Sequence, residues 1–356
     1  MYTPVLEVNL GKIRYNAQKI KKICEKSNIE VCAVTKGFCA DLNIVEAIID
    51  SGIDFLGDSR IQNIIKVKKK FPHVKYMMIR IPKISEAEEV INYTDISLQS
   101  QLEVIEAYSQ KAMSMGKVHN IILMIDVGDL REGVMPEDAE EMVGKILAMK
   151  GVNLLGVGMN VGCYGSIIPT VENATILIDV RNRLEKTFNI KLPVVSGGAT
   201  CSLKLLRENK MPKGINNLRI GEAILVGEDS TNGIMLEDLY QDAFILKAEV
   251  IELREKPSVP IGERGYDAFG NQPEYPDKGI RKRAILAVGR QDVRIEALTP
   301  ICPDMEILGA SSDHLIVDVT ESKEKVEPGS IIAFRCGYSA MLSLTTSPYV
   351  EKAFIS

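Results

Sequence analysis

The sequence predicts an α/β protein: a (β/α)8 TIM-type barrel over residues 1–228, followed by an all-β domain over residues 229–356. Three observations carry this. Up to about residue 225, short apolar runs alternate with polar turns and segments of helical periodicity. The alternation recurs eight times, which suits a closed barrel better than an open doubly wound sheet. After Gly227 it stops, and short strand-like runs take over.

In chain order, an amphipathic helix at 12–26 precedes strands at 31–35, 54–56, 74–81, 95–98, 120–125, 154–159, 192–195 and 217–220. Helical patterns between them include 42–51, 101–115, 136–150 and 171–186. Asp41 is placed to cap the helix after it, and Pro136 stands at a helix start. In the second domain a long strand is expected at 243–253, and short ones at 284–288, 306–308, 314–319 and 331–335. Residues 255–280 collect four prolines and four glycines (Pro257, Pro260, Gly262, Gly265, Gly270, Pro273, Pro276, Gly279), the mark of an ordered loop or insertion.

Composition narrows the function classes. Hydrophobic residues make up 46% and charged residues 26%, as in soluble globular proteins with a sizeable core. Net charge is −5, and the basic run at 66–70 sits among acidic neighbours as a solvated helix face, so no nucleic-acid partner is expected. A signal peptide and a membrane span are not expected either, since no apolar run approaches the ~18 residues a spanning helix needs. Seven scattered cysteines without a C-x-x-C pair suit a reducing, cytoplasmic compartment. The three histidines (His73, His119, His314) lack ligand spacing, so no metal is expected.

Barrel chemistry sits at the C-terminal ends of strands. Read at those positions, the sequence gives Lys36, Asp58, Arg80, Asp126 with Arg131 beyond it, Asn160, then Ser196-Gly197-Gly198 and Arg219-Ile220-Gly221-Glu222. Lys36 either reaches into solvent or is an amine held in the barrel mouth. Withdrawn from water, a neutral amine can bind an aldehyde covalently and act as a base. The two Gly-containing turns are tight strand-to-helix connections or anion cradles. Both follow the last two strands, where barrels commonly bind phosphate. A lysine and a phosphate cradle together describe a site for a phosphorylated aldehyde cofactor.

Longer motifs can now be compared with a family. They are V-T-K-G-F-C-A-D around Lys36, D-S-R-I-Q-N at 58–63, D-V-G-D-L-R-E-G at 126–133, G-V-G-M-N-V-G-C-Y-G at 156–165, V-S-G-G at 195–198, L-R-I-G-E at 218–222, G-I-R-K-R-A-I-L-A-V-G at 279–289 and G-A-S-S-D-H-L-I-V-D-V at 309–319. On these the chain resembles the fold-type III pyridoxal-phosphate enzymes, within them the alanine/ornithine racemase family. The resemblance implies pyridoxal 5'-phosphate on Lys36, which also moves a proton on one face of the substrate. It implies Arg219 as donor to the pyridine nitrogen and Ser196, Gly197, Gly198, Gly221 and Tyr349 as phosphate contacts. Asn160 and Glu222 are counted with the cofactor-binding residues, and Arg131 is expected at the substrate carboxylate.

Departures from alanine racemase leave the opposite-face proton donor open. The tyrosine of that enzyme's β domain is replaced by the stretch Gly289-Arg290-Gln291-Asp292, its carbamylated lysine by Met124, and the tyrosine after the cofactor lysine by Ala40. Asp292 and His314 are the candidates, against loop capping for the first and a satisfied surface histidine for the second. The implied activity is racemisation of ornithine or another basic amino acid by two proton transfers, in a homodimer. Asp292, Asp313 and Asp267 are acidic candidates for reading a basic side chain. An alanine or broad-specificity racemase is the alternative, and a decarboxylase, an aldolase and a cofactor-carrier protein are rivals.

Overall fold

The computed structural model describes residues 3–356 of the chain. Val5–Asn9 forms strand β1 and Leu10–Glu25 helix α1. Eight strands follow: β2 (Glu30–Val34), β3 (Phe55–Asp58), β4 (Lys75–Met78), β5 (Ile96–Gln99), β6 (His119–Met124), β7 (Val152–Gly158), β8 (Val194–Ser196) and β9 (Asn217–Ile220). They pair in parallel in chain order, and β9 closes on β2 through Cys32↔Arg219 and Ala33↔Ile220. The expected barrel is present. Its helices are α2 (Leu42–Ile49), α3 (Ile61–Lys70), α4 (Ala87–Tyr93), α5 (Leu102–Ser114), α6 (Ala139–Leu147), α7 (Val171–Phe188), α8 (Leu203–Arg207) and α9 (Glu222–Val226). A short hairpin, β10 (Glu228–Asp229) and β11 (Ile234–Met235), comes after them.

Local chemistry sets these elements. Helix α1 buries Ile13, Ala17, Ile20 and Cys24, spacings of three and four that form one apolar stripe. Asp41 caps α2 by accepting from the Asn43 backbone N–H at 2.9 Å, as expected. Helix α3 buries Ile61, Ile64 and Val67, while Lys66, Lys69 and Lys70 are exposed, so the basic run is a solvated face. Pro136 lies in the turn before α6, whose N-cap is Asp138; the helix starts later than the sequence suggested. Inside the barrel Cys32, Phe55, Met77, Ile96, Leu98, Ile122 and Met124 pack together. Met124 is fully buried there as an apolar filler.

The chain forms two compact units, Ile13–Tyr240 and the residues up to Lys12 with Gln241–Ser356. In the second, β12 (Phe244–Pro257), β13 (Ile280–Leu286), β14 (Leu298–Pro300), β15 (Glu306–Ala310), β16 (Leu315–Asp318) and β17 (Ile331–Cys336) form one sheet in the order β14-β17-β12-β13-β16-β15. Helix α10 (Tyr338–Thr346) and strand β18 (Glu351–Ile355) complete the unit, so its sheet carries one helix. Strand β1 pairs antiparallel with β12 and parallel with β18. Along β12 Phe244, Leu246, Ala248 and Val250 are buried in strict alternation, the period of a strand with one covered face. The Pro/Gly-rich residues 258–279 connect β12 to β13 without forming an element of their own.

Candidate active site

The end of β2 is anchored before it reaches Lys36. Thr35 donates its backbone N–H to Gly57 O at 2.9 Å and its hydroxyl to Asp58 Oδ2 at 2.6 Å. Asp58 is buried and also accepts from Arg60 N and from the Asn63 amide, which explains the D-S-R-I-Q-N motif as a brace between β2, β3 and α3. Burial pushes the Asp58 carboxyl above its ordinary pKa, against the pull of these hydrogen bonds. Lys36 then opens a single 3-10 turn with its side chain exposed, not withdrawn from water.

On the neighbouring strand β9, Arg219 is buried, and desolvation lowers its pKa. Its Nη1 donates to the Ser196 hydroxyl; its Nη2 donates to Met159 O at 2.7 Å and to Asn160 Oδ1 at 3.4 Å. Ser196 donates in turn to Asn217 Oδ1 at 2.5 Å. The ends of two strands, β7 and β8, therefore fix one guanidinium on a third: Ser196 orients Arg219 through its hydroxyl, and Asn160 does so through its amide oxygen. Its Nε makes no hydrogen bond among the described residues.

The two Gly-containing turns lie side by side. Gly198 has φ +109°, and a Cβ there would come within 2.5 Å of Ser202 Oγ, so only glycine fits. Its carbonyl accepts from Arg219 N at 2.9 Å, and Ser202 donates to Gly197 O at 2.8 Å. Gly221 caps α9, whose first residue is Glu222. Thr200, buried, accepts from Ala223 N at 3.3 Å and so joins the turn after β8 to the helix after β9. The sequence reading passed over Thr200, since a lone threonine past a glycine pair gives no periodic or spacing signal. The Glu222 carboxylate accepts from the Ser230 hydroxyl and from Ser230 N at 3.2 Å. Burial, with Asp229 and Glu228 nearby, outweighs those bonds and pushes its pKa up to about 7. The 228–235 hairpin holds the rim together: Thr231 donates to Gly162 O at 3.1 Å and Asn232 to Cys201 O at 3.2 Å.

Arg131 is exposed in the loop after β6 and grips Glu132 through Nε and, at 2.5 Å, Nη2, a pairing that raises its pKa. The barrel unit thus gathers Lys36, Asn160, Ser196, Gly197, Gly198, Arg219, Gly221, Glu222 and Arg131 at the C-terminal ends of its strands.

The remaining expected residues belong to the sheet unit. Asp292 is buried and accepts from the Ser347 hydroxyl at 2.7 Å, which also accepts from Tyr349 N at 3.1 Å. Tyr349 itself is exposed. His314 is half-buried, with Nδ1 2.9 Å from Asp313 Oδ1. The turn carrying Asp292 is laid against that carrying His314 by Arg290 N to Ser311 O at 2.9 Å and Gln291 N to Ser312 O at 2.8 Å. Asp267 is exposed and closes its own loop by accepting from Phe269 N and Asn271 N.

Residues 8–229 match the family described as alanine racemase, N-terminal domain. The chain is 45% identical over 353 residues to ornithine racemase of Acetoanaerobium sticklandii, covering 99% of both. It is 43% identical over 354 residues to lysine racemase of Thermotoga maritima, again 99% of both. A crystal structure of alanine racemase from Bartonella henselae with covalently bound pyridoxal phosphate superposes with a TM-score of 0.76 over all of both chains, at 16% identity, which shows the shared fold. D-threonine aldolase from Filomicrobium marinum shares it too, with a TM-score of 0.73 at 13% identity over 97% of this chain and 88% of the aldolase. Among the described residues no helix is long and apolar enough to cross a membrane. The chain belongs to the alanine racemase family, whose members are pyridoxal-phosphate-dependent amino-acid racemases.

Proposed function

We propose that the amino acid interconverted by this pyridoxal-phosphate-dependent racemase is ornithine or another basic amino acid. The observation that carries this reading is end-to-end similarity, at 45% and 43% identity, to racemases named for ornithine and for lysine.

The residues at the strand ends fit the cofactor. A primary amine at Lys36 suits an aldehyde, and the Nε–H of buried Arg219 suits a ring nitrogen. The adjoining turns suit a phosphate through the backbone N–H groups of Gly198, Gly221 and Glu222, while the Gly197 N–H is donated to Asn217 O at 2.9 Å. When bound, pyridoxal 5'-phosphate supplies an electron sink that acidifies the α-C–H bond of an amino acid. Lys36 holds it and moves a proton at Cα on one face. Arg219, fixed by Ser196, Met159 and Asn160, donates without giving up its proton and so moderates the electron demand at the ring nitrogen. Arg131 takes the substrate carboxylate.

For the opposite face His314 is the stronger of the two candidates. It is only half-buried, where Asp292 is buried, and it has a carboxylate, Asp313, to orient its ring, whereas the Asp292 carboxylate is engaged in holding the 347–349 turn. The protein is further proposed to work as a cytoplasmic homodimer.

The decisive measurement is α-deuterium incorporation from heavy water, followed by chiral analysis, on ornithine, lysine and alanine. Ornithine or lysine should exchange and racemise fastest. Faster turnover of alanine would defeat the substrate assignment, and carbon dioxide release would point to a decarboxylase.

A further inference from the structure

We propose that Asp129 is the positioning residue that sets Arg131 for the substrate carboxylate, by locking the loop after β6 to the loop after β7. This rests on the reading of Arg131 as the carboxylate contact. The Asp129 side chain is only 2% exposed. Its Oδ1 accepts from Gly162 N and Gly165 N, and its Oδ2 from Tyr164 N, each at 3.1 Å. Three backbone N–H groups converging on one carboxylate form a charge-assisted clamp that a neutral side chain of the same shape cannot reproduce.

Both loops gripped by this clamp carry site residues. On one side Asp126 closes a turn by accepting from Gly128 N at 2.8 Å and Leu130 N at 3.1 Å, and Leu130 is held in the left-handed region at φ +55°. Arg131 follows at once, so its backbone leaves a segment braced by two carboxylates, Asp126 and Asp129. On the other side Asn160 accepts from Arg219, and its amide donates to Cys163 Sγ at 3.1 Å. Thr231 pins Gly162 O from above this loop. The two loops are pressed together, since a Cβ on Gly165 would fall 2.8 Å from Asp129 O. Asp129 therefore ties the arginine beside the substrate to the loop that steadies the arginine beside the cofactor.

The test uses the full-length, cofactor-loaded protein and isothermal titration calorimetry with two ligands. DL-ornithine has the carboxylate; 1,4-diaminobutane is the same skeleton without it. For Asp129→Asn we expect ornithine affinity to fall about tenfold while that for 1,4-diaminobutane and for pyridoxal 5'-phosphate stays within about twofold. Equal weakening of both ligands, no weakening, or loss of cofactor binding would each overturn the proposal. Should Asp129→Asn fail to fold, Gly165→Ala strains the same contact with the carboxylate intact, and the same selective loss is expected. Arg131→Gln separates the two readings. If it discriminates between the ligands and the Asp129 and Gly165 variants do not, the clamp proposal fails alone. If Arg131→Gln does not discriminate, the carboxylate assignment falls, and the clamp proposal with it.

Discussion

A guanidinium such as Arg219, held where desolvation lowers its pKa, needs every available acceptor, and it finds them at the ends of β7 and β8. The lysine beside it is freer, because Lys36 is exposed and its position depends on the anchored Thr35. Replacing Lys36 by Ala should remove the visible absorbance of the cofactor-loaded protein. It should also cut α-deuterium exchange by on the order of a thousandfold or more; a band that survives would show that another lysine holds the cofactor. His119 has a different kind of consequence. It is buried, its Nε2 is 2.9 Å from Ser97 Oγ, and burial lowers its pKa from 6.5 to about 4. The unfolded chain takes up that proton first, so the contribution to stability is present above about pH 6.5 and is lost as pH falls toward 4. A shift of this size corresponds to roughly 3 kcal/mol. Thermal melting between pH 7 and 4 should fall less steeply for His119→Asn than for the parent chain. At this scale much was legible: Lys36, Arg219 and the glycine turns announce themselves by strand-end position. Thr200 and the Ser196–Arg219 bond did not, because a hydroxyl's partner on the next strand or its helix leaves no trace in local spacing.

Among the elements, the barrel strands were the most readable part of the chain. Each has a run of apolar residues bounded by turns, and all eight expected runs overlap observed strands. The sheet unit was harder. Strands β1 and β18 have no partner nearby in sequence and are stabilised by one another, so their β character is a tertiary fact. Helix α10 has buried residues only at Ala340, Met341 and Leu344, too weak a stripe to announce a helix. The Gly289 turn shows how closely these elements meet. A Cβ there would overlap Ser312 O and Asp313 N, the backbone that presents His314. Gly289→Ala should therefore destabilise the protein by about 1–3 kcal/mol, read as a lower urea midpoint with an unchanged slope. It should also slow the opposite-face proton transfer proposed for His314.

For the whole molecule, the useful quantities are state of assembly and order of construction. Sedimentation velocity on the active, cofactor-loaded enzyme should show a species of twice the mass of the 39.3 kDa chain. Activity confined to the monomer would remove the dimer from the proposed function. Order of construction follows from β1. Its antiparallel neighbour β12 and its parallel neighbour β18 lie beyond the entire segment Ile13–Tyr240. On the ribosome, β1 must therefore wait, edges unpaired, until both neighbours emerge. Because β1 and β18 run parallel, with Val5 beside Glu351 and Asn9 beside Ile355, the start of β1 and the end of β18 lie at opposite ends of the pair. A circular permutant that joins them through a crossover linker of about a dozen residues and opens the chain within residues 258–279 would make β18 and β1 consecutive, and so let that pair form early in synthesis.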